Sequence, residues 1–326
     1  MKICAYEVRQ DELSSFRALA EEFGVEIALH TEVPSLETAA LADGCEGVTT
    51  FSQGSIDAGL LASWARLGVR VLSTRTVGFD HIDVAAAARA GIRVCNSSYT
   101  PESVAEATVM LMLMCLRKYN AMLGRSRIDD FSLHGLIGRN LGSLTVGVLG
   151  TGRIGRQVIQ ILSGFGCRIV AYDPYPVEIE GVENVTRDEL LERSDLITLH
   201  LPLTSVTRHI IDDAAIARMR DGVVIVNCAR GPLISTPAMI RGIESGKIAA
   251  LGLDVFEGEE GIIHVSHRDD VVADRDLAYL RQLKNVVWTP HMAFYTEDAV
   301  SQMVRCGVEG LVDMAAGHPC ERELRA

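Results

Sequence analysis

Residues 145–173 read TVGVLGTGRIGRQVIQILSGFGCRIVAYD, and the fold is decided there. An apolar run, Thr145 to Leu149, meets Gly150-Thr151-Gly152-Arg153-Ile154-Gly155, then a stretch with helical spacing, then a second apolar run that closes on Asp173. Each glycine answers a separate demand of a strand that turns at once into a helix. Gly150 allows the tight turn, Gly152 lets a diphosphate approach the backbone, and Gly155 lets helix and strand pack closely. The helix N-terminus then faces negative charge with unsatisfied N–H groups, and Arg153 in the loop is a candidate contact to the diphosphate, against the plainer reading of a solvated side chain. A glycine pattern alone is weak evidence, but in this setting it predicts a dinucleotide site. Asp173 is placed to accept hydrogen bonds from both hydroxyls of an adenosine ribose and to repel a 2′-phosphate. Pro174 and Tyr175 behind it offer no compensating arginine, so NAD is expected rather than NADP.

Outward from this unit the same alternation continues. TVGVLG is followed by RIVAYD, LITLHLP, VVIVNCAR, AALGLDVF and VVWTPH, with helical spacers, which predicts six strands of a doubly wound sheet. Ahead of it, ICAYEV, VEIALHT, GVTTFS, RVLSTRT and IRVCNSS alternate with helix-like Asp11–Phe23 and Asp83–Ala90, a flavodoxin-like pattern of about five strands. Thr100 is a candidate N-cap with Pro101 at the first helical position. The helix that follows, SVAEATVMLMLMCL, is apolar on nearly every face and must be buried, at a domain junction, at a subunit interface or inside one domain. A last helix, Thr296 to Ala316, has the option of packing back on the first domain. At 326 residues two domains are expected. The expected fold class is therefore α/β with two Rossmann-like doubly wound parallel-sheet domains. The cofactor domain, 100–298, is inserted in a flavodoxin-like substrate domain made of 1–99 and 299–326.

A formal net charge of -12 argues against nucleic acid or an anionic membrane as partner, since both demand a basic footprint. A small anionic substrate stays open, because one arginine is enough to hold a carboxylate. The eight cysteines form no Cys-x-x-Cys pair and read as reduced core thiols of a cytoplasmic protein. MKICAYEVRQDE turns charged too soon for a signal-peptide core, and the longest apolar helical run, 107–116, is about half a membrane span.

Three polar residues stand just beyond the ends of successive expected strands: Arg230, Glu259 and His291. In open α/β sheets ligands bind at that edge. Each alone is more often a solvated loop residue or a structural one, but together with the dinucleotide loop they match what reduction of a 2-oxo acid demands. Hydride delivered to a carbonyl carbon leaves an alkoxide that needs a proton, and the substrate carboxylate needs a bidentate cation. Histidine, with an ordinary pKa of about 6.5, is suited to give the proton when a carboxylate stands beside it. His291 is the expected acid, Glu259 its partner and Arg230 the anchor.

The segments NCARGPLIST, LDVFEGEEG and VVWTPHMAFYTEDAV resemble the active-site motifs of D-2-hydroxyacid dehydrogenases, and the likeness runs over nearly the whole chain. KICAYEVRQDE, STRTVGFDHID, SSYTPESVAE and AYDPYP resemble the D-lactate and D-2-hydroxyisocaproate dehydrogenase branch most. The resemblance implies the same roles for Arg230, Glu259 and His291, the D stereochemistry and a homodimer. It also implies backbone contacts to the substrate carboxylate at Val77 and Gly78, and cofactor contacts at Arg153, Ile154, Asp173, Leu201, Pro202, Cys228, Ala229 and Asp254. Tyr99 and Phe294, with Phe51 and Tyr295, are candidates for the substrate side-chain pocket, against the plainer reading of aromatics as core. Ser235 and Met292 depart from the residues usual in the family without removing a catalytic group, and Met292 with Phe294, as candidate neighbours of the substrate, bears on substrate size more than on reaction type.

Pyruvate is the first expected substrate, giving D-lactate. D-2-hydroxyisocaproate or phenyllactate dehydrogenase and hydroxypyruvate reductase are the enzyme alternatives, and an NAD-sensing corepressor-type binding module is the alternative outside enzymes. His264 and His267 form an H-x-x-H, but with no third ligand nearby a solvated loop is the better reading than a metal.

Overall fold

The computed structural model describes residues 1–51 and 54–325. The chain divides into two compact units, one made of Met1–Thr100 with Tyr295–Ala326 and the other of Pro101–Phe294. The return crossing thus lies after Phe294, where the sequence placed it after residue 298.

In the first unit β1 (Lys2–Ala5), β2 (Glu26–Leu29), β3 (Gly47–Thr50), β4 (Val71–Thr74) and β5 (Arg93–Cys95) are parallel neighbours. Ser52, the last residue of the expected strand GVTTFS, lies outside the described residues. β3 and β4 are buried along their whole length, which is why GVTT and VLST show no apolar/polar alternation. Asp57 and Asp83 cap the helices that follow, accepting from the N–H groups of Leu60 and Ala86. One face of the sheet is covered around Trp64, Leu60 and Ile56, the other around Phe16, Val304 and Leu311.

In the second unit β6 (Thr145–Leu149), β7 (Arg168–Tyr172), β8 (Val182–Asn184), β9 (Leu196–Leu199), β10 (Val223–Asn227), β11 (Ile248–Leu253) and β12 (Val286–Trp288) form a parallel sheet. Its order is β12-β11-β10-β9-β6-β7-β8. The order reverses between β6 and β9, the switch point of a doubly wound sheet. β8 was not foreseen, because VEN is short, polar and nowhere fully buried. Helix Glu102–Leu116 starts after Pro101, which holds the cap position without a side-chain cap, so Thr100 is not its N-cap. Instead the Thr100 N–H donates to Gln302 Oε1. The helix lies inside this unit against β10, β11 and β12, where Gly252 leaves room for Leu111 and Cys115.

The chain returns to the first unit with helix Glu297–Ala315, capped by Thr296 and packed on β3, β4 and β5. A final short strand, β13 (Glu323–Leu324), pairs antiparallel with β5 and completes the order β13-β5-β4-β3-β1-β2. Arg93 secures it, with Nε 2.7 Å from Glu323 Oε1 and Nη1 2.8 Å from the Met314 carbonyl oxygen.

Candidate active site

The register of the second sheet sets the site. Tyr172 pairs with Leu149, Leu149 with Leu199, Leu199 with Asn227, Asn227 with Leu253, and Leu253 with Trp288. The last residues of six strands therefore stand in one row, and the segments leaving that row carry Gly150–Gly155, Asp173, Leu201, Pro202, Cys228, Ala229, Arg230, Asp254, Glu259 and His291.

The glycine loop does what its spacing demands. Gly150 has φ +97°, and a Cβ on it would come within 2.7 Å of the His200 carbonyl oxygen. On Gly155 a Cβ would meet the Gly150 oxygen at 2.0 Å, so the helix closes on the strand only because that atom is missing. Gly152 has no heavy atom within 4 Å of its Cβ position: the space is open, and a side chain would occupy what a diphosphate needs. Helix Arg153–Ser163 starts there without a side-chain cap. Asp173 ties the loop to β7, accepting from Thr151 N at 2.7 Å and Tyr175 N at 2.9 Å. These residues fit a dinucleotide. Cys228 is buried, and burial pushes its thiol up, so it lines the edge as an inert wall.

Arg230 is held through its backbone. Asn227 Nδ2 donates to the Arg230 carbonyl at 2.9 Å, and Asn227 Oδ1 accepts from Ala229 N at 3.0 Å. Gly231 follows because a Cβ there would lie 2.1 Å from the Phe256 carbonyl carbon, so the loops after β10 and β11 touch backbone to backbone. His291 Nδ1 lies 2.7 Å from Glu259 Oε1, while Glu259 Oε2 accepts from Phe256 N at 2.8 Å. Among the described residues Nε2 of His291 has no protein partner.

Two features were missed at the sequence level. Asp254, expected as a cofactor contact, spends both carboxylate oxygens on the loop that carries His291. Oδ1 accepts from Thr289 Oγ1 at 2.5 Å and Met292 N at 2.9 Å, and Oδ2 from Ala293 N at 2.9 Å. His291 itself sits at φ 53°, a left-handed conformation that a non-glycine residue holds only when neighbours enforce it. The second feature is His264. It is exposed, as a loop histidine would be, yet its Nε2 lies 2.9 Å from the His291 carbonyl oxygen and its ring centroid 6.0 Å from that of His291. Phe294 stands edge-on to both rings. The H-x-x-H spacing was visible, but nothing in it pointed at His291. Among the described residues no group of three or more His, Cys, Asp or Glu side chains is placed to hold a metal ion.

In the first unit the turn after β4 presents Val77 and Gly78. Its carbonyls are taken: Asn96 Nδ2 donates to Val77 O at 2.7 Å and Thr76 Oγ1 to Gly78 O at 2.6 Å. Their N–H groups have no acceptor among the described residues. The turn rests on fully buried Arg75, whose Nε lies 2.9 Å from Glu12 Oε1. Tyr99 follows β5 and is partly exposed. Arg9 lies over the rings of Phe51 and Tyr295, with Cζ 4.7 and 5.6 Å from their centroids.

Residues 109–293 match the model for the D-isomer specific 2-hydroxyacid dehydrogenase NAD binding domain. The chain is 41% identical over 327 residues to an aromatic 2-oxoacid reductase of Clostridium sporogenes, covering 99% of each. It is 35% identical to a D-lactate dehydrogenase of Escherichia coli, covering 99% of this chain and 100% of that one. The solved structure of a D-2-hydroxyisocaproate dehydrogenase superposes with a TM-score of 0.91 at 35% identity over 100% of both chains.

Proposed function

The chain belongs to the D-isomer specific 2-hydroxyacid dehydrogenases, NAD-dependent oxidoreductases acting on CH–OH, and from that premise we propose that it reduces a 2-oxo acid to the (R)-2-hydroxy acid. The observation that carries this reading is the 2.7 Å contact between His291 Nδ1 and Glu259 Oε1. It fixes the ring so that Nε2 is the edge left to deliver a proton. Bound NADH supplies the hydride. The protonated His291 ring gives its Nε2 proton to the oxygen that becomes the hydroxyl. Glu259, held by the Phe256 N–H, keeps that ring oriented. The Arg230 guanidinium binds the substrate carboxylate and polarises the carbonyl. The N–H groups of Val77 and Gly78 are proposed as further donors to the carboxylate, and Tyr99 and Phe294 as neighbours of the substrate side chain. Gly150, Gly152, Arg153, Ile154, Gly155, Asp173, Leu201, Pro202, Cys228, Ala229 and Asp254 are proposed as the cofactor set.

Pyruvate is the proposed substrate. An aromatic 2-oxo acid is the second reading, favoured by the Clostridium sporogenes relative, which is named for that class. The deciding experiment measures kcat/KM by NADH oxidation on pyruvate, 2-oxoisocaproate, phenylpyruvate and hydroxypyruvate. His291→Ala is expected to lower kcat by about 10²–10⁴-fold. Preference for phenylpyruvate replaces pyruvate by the aromatic reading. Tight NADH binding with no turnover on any of the four overturns the enzyme and favours a binding module.

A homodimer is proposed as well. Ile128, Phe131, Leu133 and Ile137 are among the most exposed large apolar side chains, and Ile128 and Ile137 line a cavity of about 750 Å³ at the amino ends of β10, β11 and β12. A cytoplasmic location rests on the scattered free cysteines. Among the described residues no helix is long and apolar enough to cross a membrane.

A further inference from the structure

Three cysteines of the first unit, Cys95, Cys306 and Cys320, gather where the last helix passes the end of β5. A Cβ built on Gly310 would come within 2.5 Å of Cys95 Sγ and 3.7 Å of Cys320 Sγ, so both sulfurs border one small gap. The chain path explains the encounter: β13 sets Glu323 opposite Cys95, and the Glu323 N–H donates to the Cys320 carbonyl, folding Cys320 back over β5. Cys306 is engaged elsewhere, its Sγ 3.1 Å from the Ser98 carbonyl oxygen.

The pair is unequal. Cys95 is fully buried and Cys320 partly exposed. The neighbouring Cys95 sulfur, with the backbone N–H and charge of Arg322, pushes the Cys320 thiol down against its burial and the charge of Asp313. The nearby Cys320 sulfur and burial push the Cys95 thiol up. Cys320 is thus the sulfur a peroxide can reach, while Cys95 lies enclosed behind it.

We propose that Cys320 is a peroxide-reactive site and Cys95 its resolving partner, the two closing to a disulfide. The Cys320 sulfur attacks the O–O bond of a hydroperoxide, takes one oxygen as a sulfenic acid and releases the other as hydroxide or alkoxide. Cys95 sulfur then attacks the sulfenyl sulfur. The S–S bond forms, and the leaving hydroxide with the Cys95 proton becomes water. Two electrons pass from the thiols to the peroxide. The bond would act on the neighbouring turn, since Asn96, next to Cys95, holds Val77 O, and Ser97 N holds Thr76 O. This consequence, a raised KM for the 2-oxo acid, rests on the proposed carboxylate role of that turn; the disulfide does not.

The full-length protein is treated with hydrogen peroxide, alkylated, digested and read by mass spectrometry. Expected are a Cys95–Cys320 linked peptide that dithiothreitol removes, its loss in Cys320→Ser, and a dimedone adduct on Cys320 in Cys95→Ser. Linkage of Cys320 to Cys306, first oxidation at another cysteine, or an unmodified Cys320 overturns the proposal. In the linked protein KM is expected to rise severalfold with kcat kept, and an unchanged KM overturns the coupling to the turn. A reduced protein inactive on 2-oxo acids fails the functional reading while the mass result still decides the thiol pair.

Discussion

At Asp254 one carboxylate determines where His291 stands. Three donors from the segment 289–293 converge on it, and its own carbonyl accepts from His291 N at 2.7 Å. Asp254→Asn keeps the shape but turns an NH2 group toward at least one N–H or O–H donor. It is expected to cost about 1–3 kcal/mol, measured by denaturant unfolding, with kcat lowered because the φ 53° conformation of His291 loses its support. Unchanged kcat would show that the turn holds itself. The identities of Arg230, Glu259 and His291 were legible because each is a chemically distinctive side chain just past an apolar run. The task of Asp254 was not, because an aspartate after a strand reads equally well as ligand contact or loop staple until its donors are seen.

At the scale of elements, the loops after β10 and β11 meet at Gly231. Gly231→Ala would set a methyl against the Phe256 backbone, which has no rotamer by which to yield. A loss of about 1–3 kcal/mol or more is expected, together with a fall in kcat/KM as Arg230 shifts, and wild-type stability in the variant would refute the close approach. The end of β9 carries a different liability. Burial pushes His200 down to about 3, and its Nε2 lies 3.0 Å from Thr198 Oγ1. The unfolded chain takes up a proton near pH 6.5 and the folded chain only near 3. His200 therefore contributes stability that is whole above about pH 6.5 and is lost as pH falls toward 3. Between about pH 7 and pH 5.5, denaturation midpoints are expected to drop more in wild type than in His200→Gln; equal drops would rule this out. Strands β6, β7 and β9 to β12 were visible as apolar runs, whereas β8 and β13 were not, since three and two mostly polar residues pair only because a neighbouring edge is already in place.

At the scale of the whole molecule, 35.4 kDa is the monomer mass to measure against. Phe131→Glu with Ile137→Glu places charge on two exposed apolar positions, so it should leave the fold intact while shifting sedimentation from the dimer to the monomer mass. A dimer that survives the double change would place its interface elsewhere. Two α/β units, the glycine loop, the NAD-binding domain and the three polar residues after strand ends were determined by the sequence alone, because apolar periodicity, glycine spacing and side-chain chemistry are local properties. Which atoms meet was decided by tertiary structure. In-register strand ends bring Asn227, Leu253 and Trp288 into one row, and with them the segments that join Glu259 to His291 across 32 positions. The same long-range pairing lays Cys320 against Cys95 and His264 against His291. Such contacts depend on sheet order and on the absence of a Cβ at Gly231 and Gly310, and no local pattern records either.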